Sequence, residues 1–236
     1  PDPIFVGCAL TRDAMSQSLQ ATIIPVTPFQ QNCSLLWCTQ TMKAAVVDPG
    51  GDLDTIDAAI AEQGVTLEKI LITHGHIDHA GSAGAFATRH GVPIEGPHKD
   101  DTFWIDQAAE SGAAYGLPDA APFTPDRWLV DGDTVTVGNL TLQVLHCPGH
   151  TPGHVVFYEP TTNVAVVGDV LFQGSIGRTD FPRGNHADLI NAITTKLWPL
   201  GDDVTFVPGH GPLSTFGAER QSNPFVGDAV LAGDAD

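Results

Sequence analysis

The chain has 236 residues, 42% hydrophobic and 16% charged, enough apolar material for one sizeable core and too few charges for a disordered chain. Its 28 acidic residues against 10 basic ones give a formal charge of −18, which opposes binding to nucleic acid and to anionic membranes at long range. The four cysteines, Cys8, Cys33, Cys38 and Cys147, lack the density of a disulfide scaffold and the paired spacing of a structural zinc site, and fit a reducing cytoplasm.

Residues 4–10 are apolar, but no basic residue precedes them, and they fall short of the ~18 apolar residues a membrane span needs. Residues 1–19 therefore read as an appended extension and residues 20–236 as a single domain. From residue 21 onward, short β-rich runs alternate with helical stretches. Strands are expected at 21–26, 33–38, 44–47 and 70–73, with a helix at 53–62 between the last two. The run Val47-Asp48-Pro49-Gly50-Gly51 stops its strand, since proline and glycine both end a ladder. A helix at 79–90 follows, then a polar helical region bearing aromatics at 100–115 and a proline-rich loop at 116–126. The second half repeats the grammar, with strands at 134–137, 141–146, 154–158 and 164–167, a helix at 188–197, a strand at 204–207 and a helix at 213–222. Two such halves predict an α/β four-layer sandwich, two sheets face to face with helices outside. Nothing in the pattern asks for a partner chain, so a monomer is expected.

The chemistry concentrates in Thr73-His74-Gly75-His76-Ile77-Asp78-His79, directly after the apolar Ile70-Leu71-Ile72. Four potential ligands in six residues at a strand end can splay into a loop and converge on metal, which one strand or helix face cannot arrange. Further candidates lie at other strand ends: His150 in Cys147-Pro148-Gly149-His150-Thr151-Pro152-Gly153-His154, Asp169 after Val164-Ala165-Val166-Val167-Gly168, and His210 in Pro208-Gly209-His210-Gly211. Each follows a glycine, whose missing Cβ lets backbone approach a crowded site. Taken singly they read equally as a turn histidine, a capping aspartate and a surface histidine; the first motif tips them toward ligands.

These residues resemble the metallo-β-lactamase superfamily and, within it, the glyoxalase II (hydroxyacylglutathione hydrolase) group. The runs around His150 and Gly177-Arg178-Thr179-Asp180-Phe181-Pro182 are similar to short single-domain bacterial proteins of the YcbL type. The resemblance implies the αββα fold, with His74, His76 and His150 binding one metal, Asp78, His79 and His210 a second, and Asp169 bridging them. The implied cofactors are two divalent ions, zinc first, with iron and manganese also suited to imidazole and carboxylate donors. The implied reaction is hydrolysis of thioesters such as S-D-lactoylglutathione, by a metal-bridging hydroxide that Asp78 helps to orient. Asp48 is expected to support a ligand histidine or its loop, and Arg178 and Asp180 to form a buried ion pair behind the metals or to hold a loop. His146 and His154 are expected to pack beside the ligands, Trp104 and Tyr115 to border a pocket or the core, and Cys147 to be inert. Typical glyoxalase II enzymes carry a helical domain with basic contacts to glutathione, whereas here 26 residues follow His210 with Arg220 the one basic side chain, which leaves glutathione specificity open. The alternatives are a single-iron persulfide dioxygenase, a lactone hydrolase and a degenerate metal-binding regulator; a nuclease and a β-lactamase fit less well.

Overall fold

Strand alternation decides how the layers form. In β3 (Gln31–Cys38), Leu36 and Cys38 point to one face and Cys33, Leu35 and Trp37 to the other, and all five are buried. A strand covered on both faces must lie between two other layers. The structure, a computed structural model, describes residues 4–6, 18–117 and 119–233. Most of the expected 1–19 extension lies outside the described residues; Ile4–Val6 forms β1, paired antiparallel with β2 (Leu19–Val26).

The first sheet has the order β1-β2-β3-β4-β5-β6, with β4 at Lys43–Val47, β5 at Thr66–Leu71 and β6 at Ile94–Glu95. The second has the order β14-β13-β10-β9-β8-β7. Its strands are β7 (Thr134–Val137), β8 (Leu140–His146), β9 (Val155–Glu159), β10 (Val164–Gly168), β13 (Thr205–Pro208) and β14 (Ser214–Thr215). A separate hairpin joins β11 (Leu171–Phe172) to β12 (Ser175–Ile176). Leu36, Val47 and Leu71 of the first sheet meet Leu142, Phe157 and Val207 of the second in the central core. Ile56 of α1 (Leu53–Gln63) and Phe86 of α3 (Ala83–His90) cover the outer face of the first sheet. Leu189 of α6 (His186–Ala192) and Phe216 of α7 (Phe216–Ser222) cover the second. This is the expected four-layer α/β sandwich. Among the described residues no helix is long and apolar enough to cross a membrane.

Three expected helices differ. The helix at 79–90 is two, α2 (Ile77–Ala80) and α3, because a Gly81-Ser82 step separates them. The region 100–115 is a 3-10 turn at Lys99–Asp101 followed by α4 (Thr102–Asp106) and α5 (Ala108–Tyr115), interrupted at Gln107. The helix at 213–222 begins only at Phe216: Ser214–Thr215 pair with β13, and the Thr215 hydroxyl then caps α7 by accepting from Ala218 N–H at 3.2 Å. A last short helix, α8, spans Asp228–Gly233.

Parallel pairing places the chemistry. Because β4 and β5 run side by side with Val47 opposite Leu71, Asp48 and Thr73 leave the sheet together. Likewise β10 and β13 pair in parallel with Gly168 opposite Pro208, so Asp169 and His210 emerge at one edge.

Candidate metal centre

His74 and His76 sit on the loop leaving β5, and His150 on the loop between β8 and β9. The facing nitrogens are close: His74 Nε2 to His76 Nδ1 is 3.1 Å, and His150 Nε2 to His76 Nδ1 is 3.0 Å. Two neighbours fix which nitrogens carry protons. His150 Nδ1–H donates to the carbonyl of Arg178 at 2.8 Å, leaving its Nε2 lone pair facing the trio. The Thr73 hydroxyl donates to Asp48 Oδ2 at 2.6 Å and so accepts from His74 Nδ1–H at 3.0 Å, which frees His74 Nε2 in the same sense. Two imidazole lone pairs thus face His76 Nδ1, and the three nitrogens meet in one small volume.

The second group is Asp78, His79 and His210. His210 Nε2 lies 3.2 Å from Asp78 Oδ2, and His79 Nε2 lies 3.8 Å from the same oxygen. Asp169 stands between the groups: its Oδ1 is 3.3 Å from His79 Nε2 and its Oδ2 is 3.5 Å from His150 Nε2. His79 is fully buried, and its Nδ1 donates to Asp48 Oδ2 at 2.9 Å. That leaves His79 Nε2 facing inward, and neither it nor Asp169 Oδ1 has a hydrogen-bond partner. Orphaned buried acceptors around a shared point are what a bound cation would satisfy. Asp48 with His74 and His79 makes a third possible trio, but both Asp48 oxygens are already taken, Oδ1 by the Thr73 N–H at 2.7 Å and Oδ2 by the Thr73 hydroxyl and His79.

The electrostatics agree. Burial resists charge on His79, yet Asp169 and Asp78 outweigh it and hold its pKa well above the ordinary range. Asp169 is also penalised by burial, but His79, then His150 and His210, hold its carboxyl far below the usual carboxylate range. Burial, and then the neighbouring His150, push His76 down to about 3. One half of the site therefore attracts positive charge, while the imidazoles of the other stay neutral with lone pairs to offer.

Tight backbone approaches explain two of the three glycines that precede candidate ligands. A Cβ on Gly209 would strike Asp169 Oδ1, and one on Gly168 would come 2.7 Å from the His154 ring and 2.8 Å from the Thr73 hydroxyl. Gly149 is different, since its missing Cβ makes room for Leu189 on α6 rather than for the site.

Around this centre the remaining expectations fall variously. His154 is fully buried, accepts the Asp169 N–H on Nε2 at 3.0 Å and stacks on His74 with centroids 4.7 Å apart, so it packs behind the candidate ligands. His146 donates from Nε2 to the Pro152 carbonyl at 2.8 Å and stacks on His98. The Arg178–Asp180 pair is bidentate, at 2.9 and 2.7 Å, but not buried: both side chains are about two-thirds exposed, at 66% and 67%. The sequence could not show that the backbone of this segment, not its charge, reaches the centre. Burial pushes the Cys147 thiol up to about 12, far from a reactive thiolate.

Sequence reasoning missed three residues. Gln31 and Asn32, at the start of β3, hold the His210 loop: Gln31 bridges to His210, and Asn32 Nδ2 donates to Pro208 and Gly211 carbonyls at 3.0 and 2.8 Å. Asp101 is a fully buried carboxylate at the N-terminus of α4, within the stretch read simply as polar and helical.

The centre opens into a cleft of about 570 Å³ bordered by Phe29, Ile77, Trp104, Tyr115, Phe172 and Phe181. Trp104 and Phe181 pack edge-on against His76, at 4.5 and 4.7 Å between ring centroids. Arg178 is the one lysine or arginine on the cleft wall, with its guanidinium 4.4 Å from the Phe181 ring centre.

Residues 26–210 match the metallo-beta-lactamase superfamily. Over 205 residues the chain is 47% identical to the hydroxyacylglutathione hydrolase GloC of Haemophilus influenzae, covering 86% of this chain and 96% of that protein. The crystal structure of the BLEG-1 B3 metallo-beta-lactamase superposes with a TM-score of 0.80 at 36% identity, covering 87% of this chain and 99% of that one. The structure of TTHA1623 in a di-iron-bound form gives 0.78 at 33% identity, covering 86% and 98%. With a four-layer fold, clustered imidazoles and carboxylates at the strand ends, and a match spanning most of its length, the chain belongs to the metallo-beta-lactamase superfamily and is a metal-dependent hydrolase of it.

Proposed function

We propose that this protein hydrolyses thioesters of the S-D-lactoylglutathione type, releasing a hydroxy acid and a thiol, with two divalent ions, zinc first, as cofactors. The position of Asp169 carries the reading, with one carboxylate oxygen turned to His79 and the other to His150. A carboxylate so placed would help to hold an ion at either group. His74, His76 and His150 would hold one ion and Asp78, His79 and His210 the other. When bound, such ions supply a water deprotonated near neutral pH and a counter-charge for a carbonyl oxygen. The similarity to a hydroxyacylglutathione hydrolase supports the thioester as substrate.

The protein's own groups do the rest. Burial works against charge on Asp78, but His79 and His210 outweigh it and hold its carboxyl below the ordinary range, so at neutral pH it is an acceptor able to orient the attacking water. Trp104 and Phe181 wall the cleft beside His76 and exclude bulk water from the reacting carbonyl. A thiolate leaves without a dedicated acid because the thiol pKa is only about 8.5. A single-iron dioxygenase would need only two histidines and one carboxylate, a set that Asp78, His79 and His210 alone supply, which leaves the His74, His76 and His150 trio without a use.

Metal-loaded protein incubated with S-D-lactoylglutathione should lose the thioester absorbance, and a His76→Ala protein should not. Oxygen uptake with glutathione persulfide, in place of thioester loss, would overturn the reading in favour of the dioxygenase. Replacing Asp78 by Ala should lower kcat about 10²-fold in a folded protein, the scale of a lost proton acceptor. Arg178→Ala should act on binding instead, raising KM for an anionic thioester about tenfold with kcat little changed, as loss of one charge-assisted contact does. An unchanged KM would remove Arg178 from the substrate's path.

A further inference from the structure

We propose that Asp101 is the positioning residue that sets the distance between the two loops supplying the first imidazole trio, and so the affinity of that trio, but not of the second group, for a divalent cation. This rests on reading His74, His76 and His150 as a metal site. His74 and His76 come from one loop and His150 from another, 74 positions away in sequence from His76. One backbone bond, from the Val155 N–H to the Thr73 carbonyl at 2.8 Å, ties the two loops at their base, short of His76 and His150. Asp101 joins the loops at the level of the imidazoles. Its Oδ2 accepts the Gly75 N–H at 2.8 Å, from between the two histidines of the first loop. The same oxygen accepts the Thr151 hydroxyl at 2.8 Å, and Oδ1 accepts the Gly153 N–H at 2.6 Å, both from the loop that carries His150.

The fit is close on every side. A Cβ on Gly75 would stand 2.8 Å from Trp104 Cβ and 3.0 Å from the Asp101 carbonyl, and one on Gly153 would stand 2.6 Å from the Asp101 nitrogen. Both loops therefore lie against the 98–104 segment with no side chain between. Trp104, one turn further along α4, packs its ring on His76, so the same segment fixes that ring's orientation as well as its loop. Burial pushes the Asp101 carboxyl up to about 6 even though three donors favour its anion. A carboxylate is retained in an unfavourable place where its acceptor geometry is needed: three donors converge on it, and no neutral side chain of that size accepts in all three directions.

The second group depends on other supports. His79 is held by Asp48 and the His210 loop by Gln31 and Asn32, none of which touches Asp101. Loss of Asp101 should therefore act on one ion of two, whereas a general loss of stability would weaken both.

Asp101→Asn keeps the volume but replaces one acceptor oxygen by an NH₂. If its oxygen faces Gly75 and Thr151, its amide opposes the Gly153 N–H, and the link that Asp101 makes between the two loops is broken. Cobalt(II) can be titrated into metal-free wild type, Asp101→Asn and Glu219→Gln under chelator competition, following visible absorption and unfolding temperature. Glu219 is a matched control, a buried carboxylate that accepts from Ser214, Gly174 and Asn223, none of them a candidate ligand. Wild type should bind two equivalents. Asp101→Asn should retain one and bind the other ~10–100-fold more weakly with an altered spectrum, the usual scale for loss of a group that orients ligands. Glu219→Gln should lose stability with both equivalents intact. If Asp101→Asn does not fold, Thr151→Val, which removes one donor of the three, should give a smaller loss in the same equivalent. Two wild-type affinities in the folded variants would overturn the role of Asp101, while failure of wild type to take two equivalents would overturn the dinuclear reading itself.

Discussion

Replacing Asp169 by Asn is expected to reduce bound metal from two ions to one or fewer and to lower kcat/KM for the thioester by ~10²–10³-fold, the scale seen when a group that stabilises the transition state's charge is removed. The side chain keeps its shape, so the effect isolates its charge and its second acceptor. Asp169 Oδ1 and Oδ2 face His79 Nε2 and His150 Nε2 at 3.3 and 3.5 Å. An amide in that place turns an N–H toward one of the two lone pairs and occupies it. It also removes the anion that, with Asp78, favours positive charge at His79. Elemental analysis of the purified variant and steady-state kinetics check the prediction together. Two ions per chain with near wild-type turnover would show that Asp169 bridges nothing.

Asp48→Ala should be the most destabilising single change at the centre, by about 3–5 kcal/mol, because it strips one member from a buried, hydrogen-bonded charged network. Asp48 accepts from the Thr73 N–H, the Thr73 hydroxyl and His79 Nδ1, all within 2.9 Å, and is 2% exposed. Its backbone is left-handed, with φ 55°, where alanine adds a strain of about 1–2 kcal/mol that aspartate and asparagine bear more easily. Asp48→Asn separates the two effects. It keeps one acceptor for Thr73 and tolerates the backbone, but its amide opposes His79 Nδ1–H. The imidazole is then driven to carry its proton on Nε2, in the place of the lone pair. The Asn variant should therefore unfold within about 1–2 kcal/mol of wild type, by denaturant titration, yet lose the ion at the Asp78, His79 and His210 group. An Ala variant as stable as wild type would mean that Thr73 and His79 find other partners.

The centre was legible in the sequence where candidate ligands sit close together or at strand ends. His74, His76, Asp78 and His79 share six residues, and His150, Asp169 and His210 each follow a glycine at the edge of an apolar run. The structure brings all seven into one place: β4 with β5 and β10 with β13 run parallel and release the loops of six of them on the same side, and the β8–β9 loop brings His150 to His76. What stayed hidden works through backbone atoms or at long separation. Arg178 suggested a charge in the interior, yet it is the Arg178 carbonyl that orients His150. Asp101, Gln31 and Asn32 carry no motif, since an acceptor for an N–H 26 residues away has no local pattern to betray it. The layer arrangement was readable from alternation, whereas the break at Gly81-Ser82 and the strand at Ser214–Thr215 were not, because periodicity over a few residues does not separate a helical turn from an extended one.

The first sheet is built wholly from residues before 96 and the second wholly from residues after 133, yet neither imidazole group belongs to one half. His150 completes the first and His210 the second, each from across the seam. Every bound ion would thus be a rivet through two separately contiguous pieces of chain. With the backbone severed in the loop between the sheets, the shared core would still bring the fragments together, but each ion would need donors from both pieces, a two-key lock written into the order of the strands.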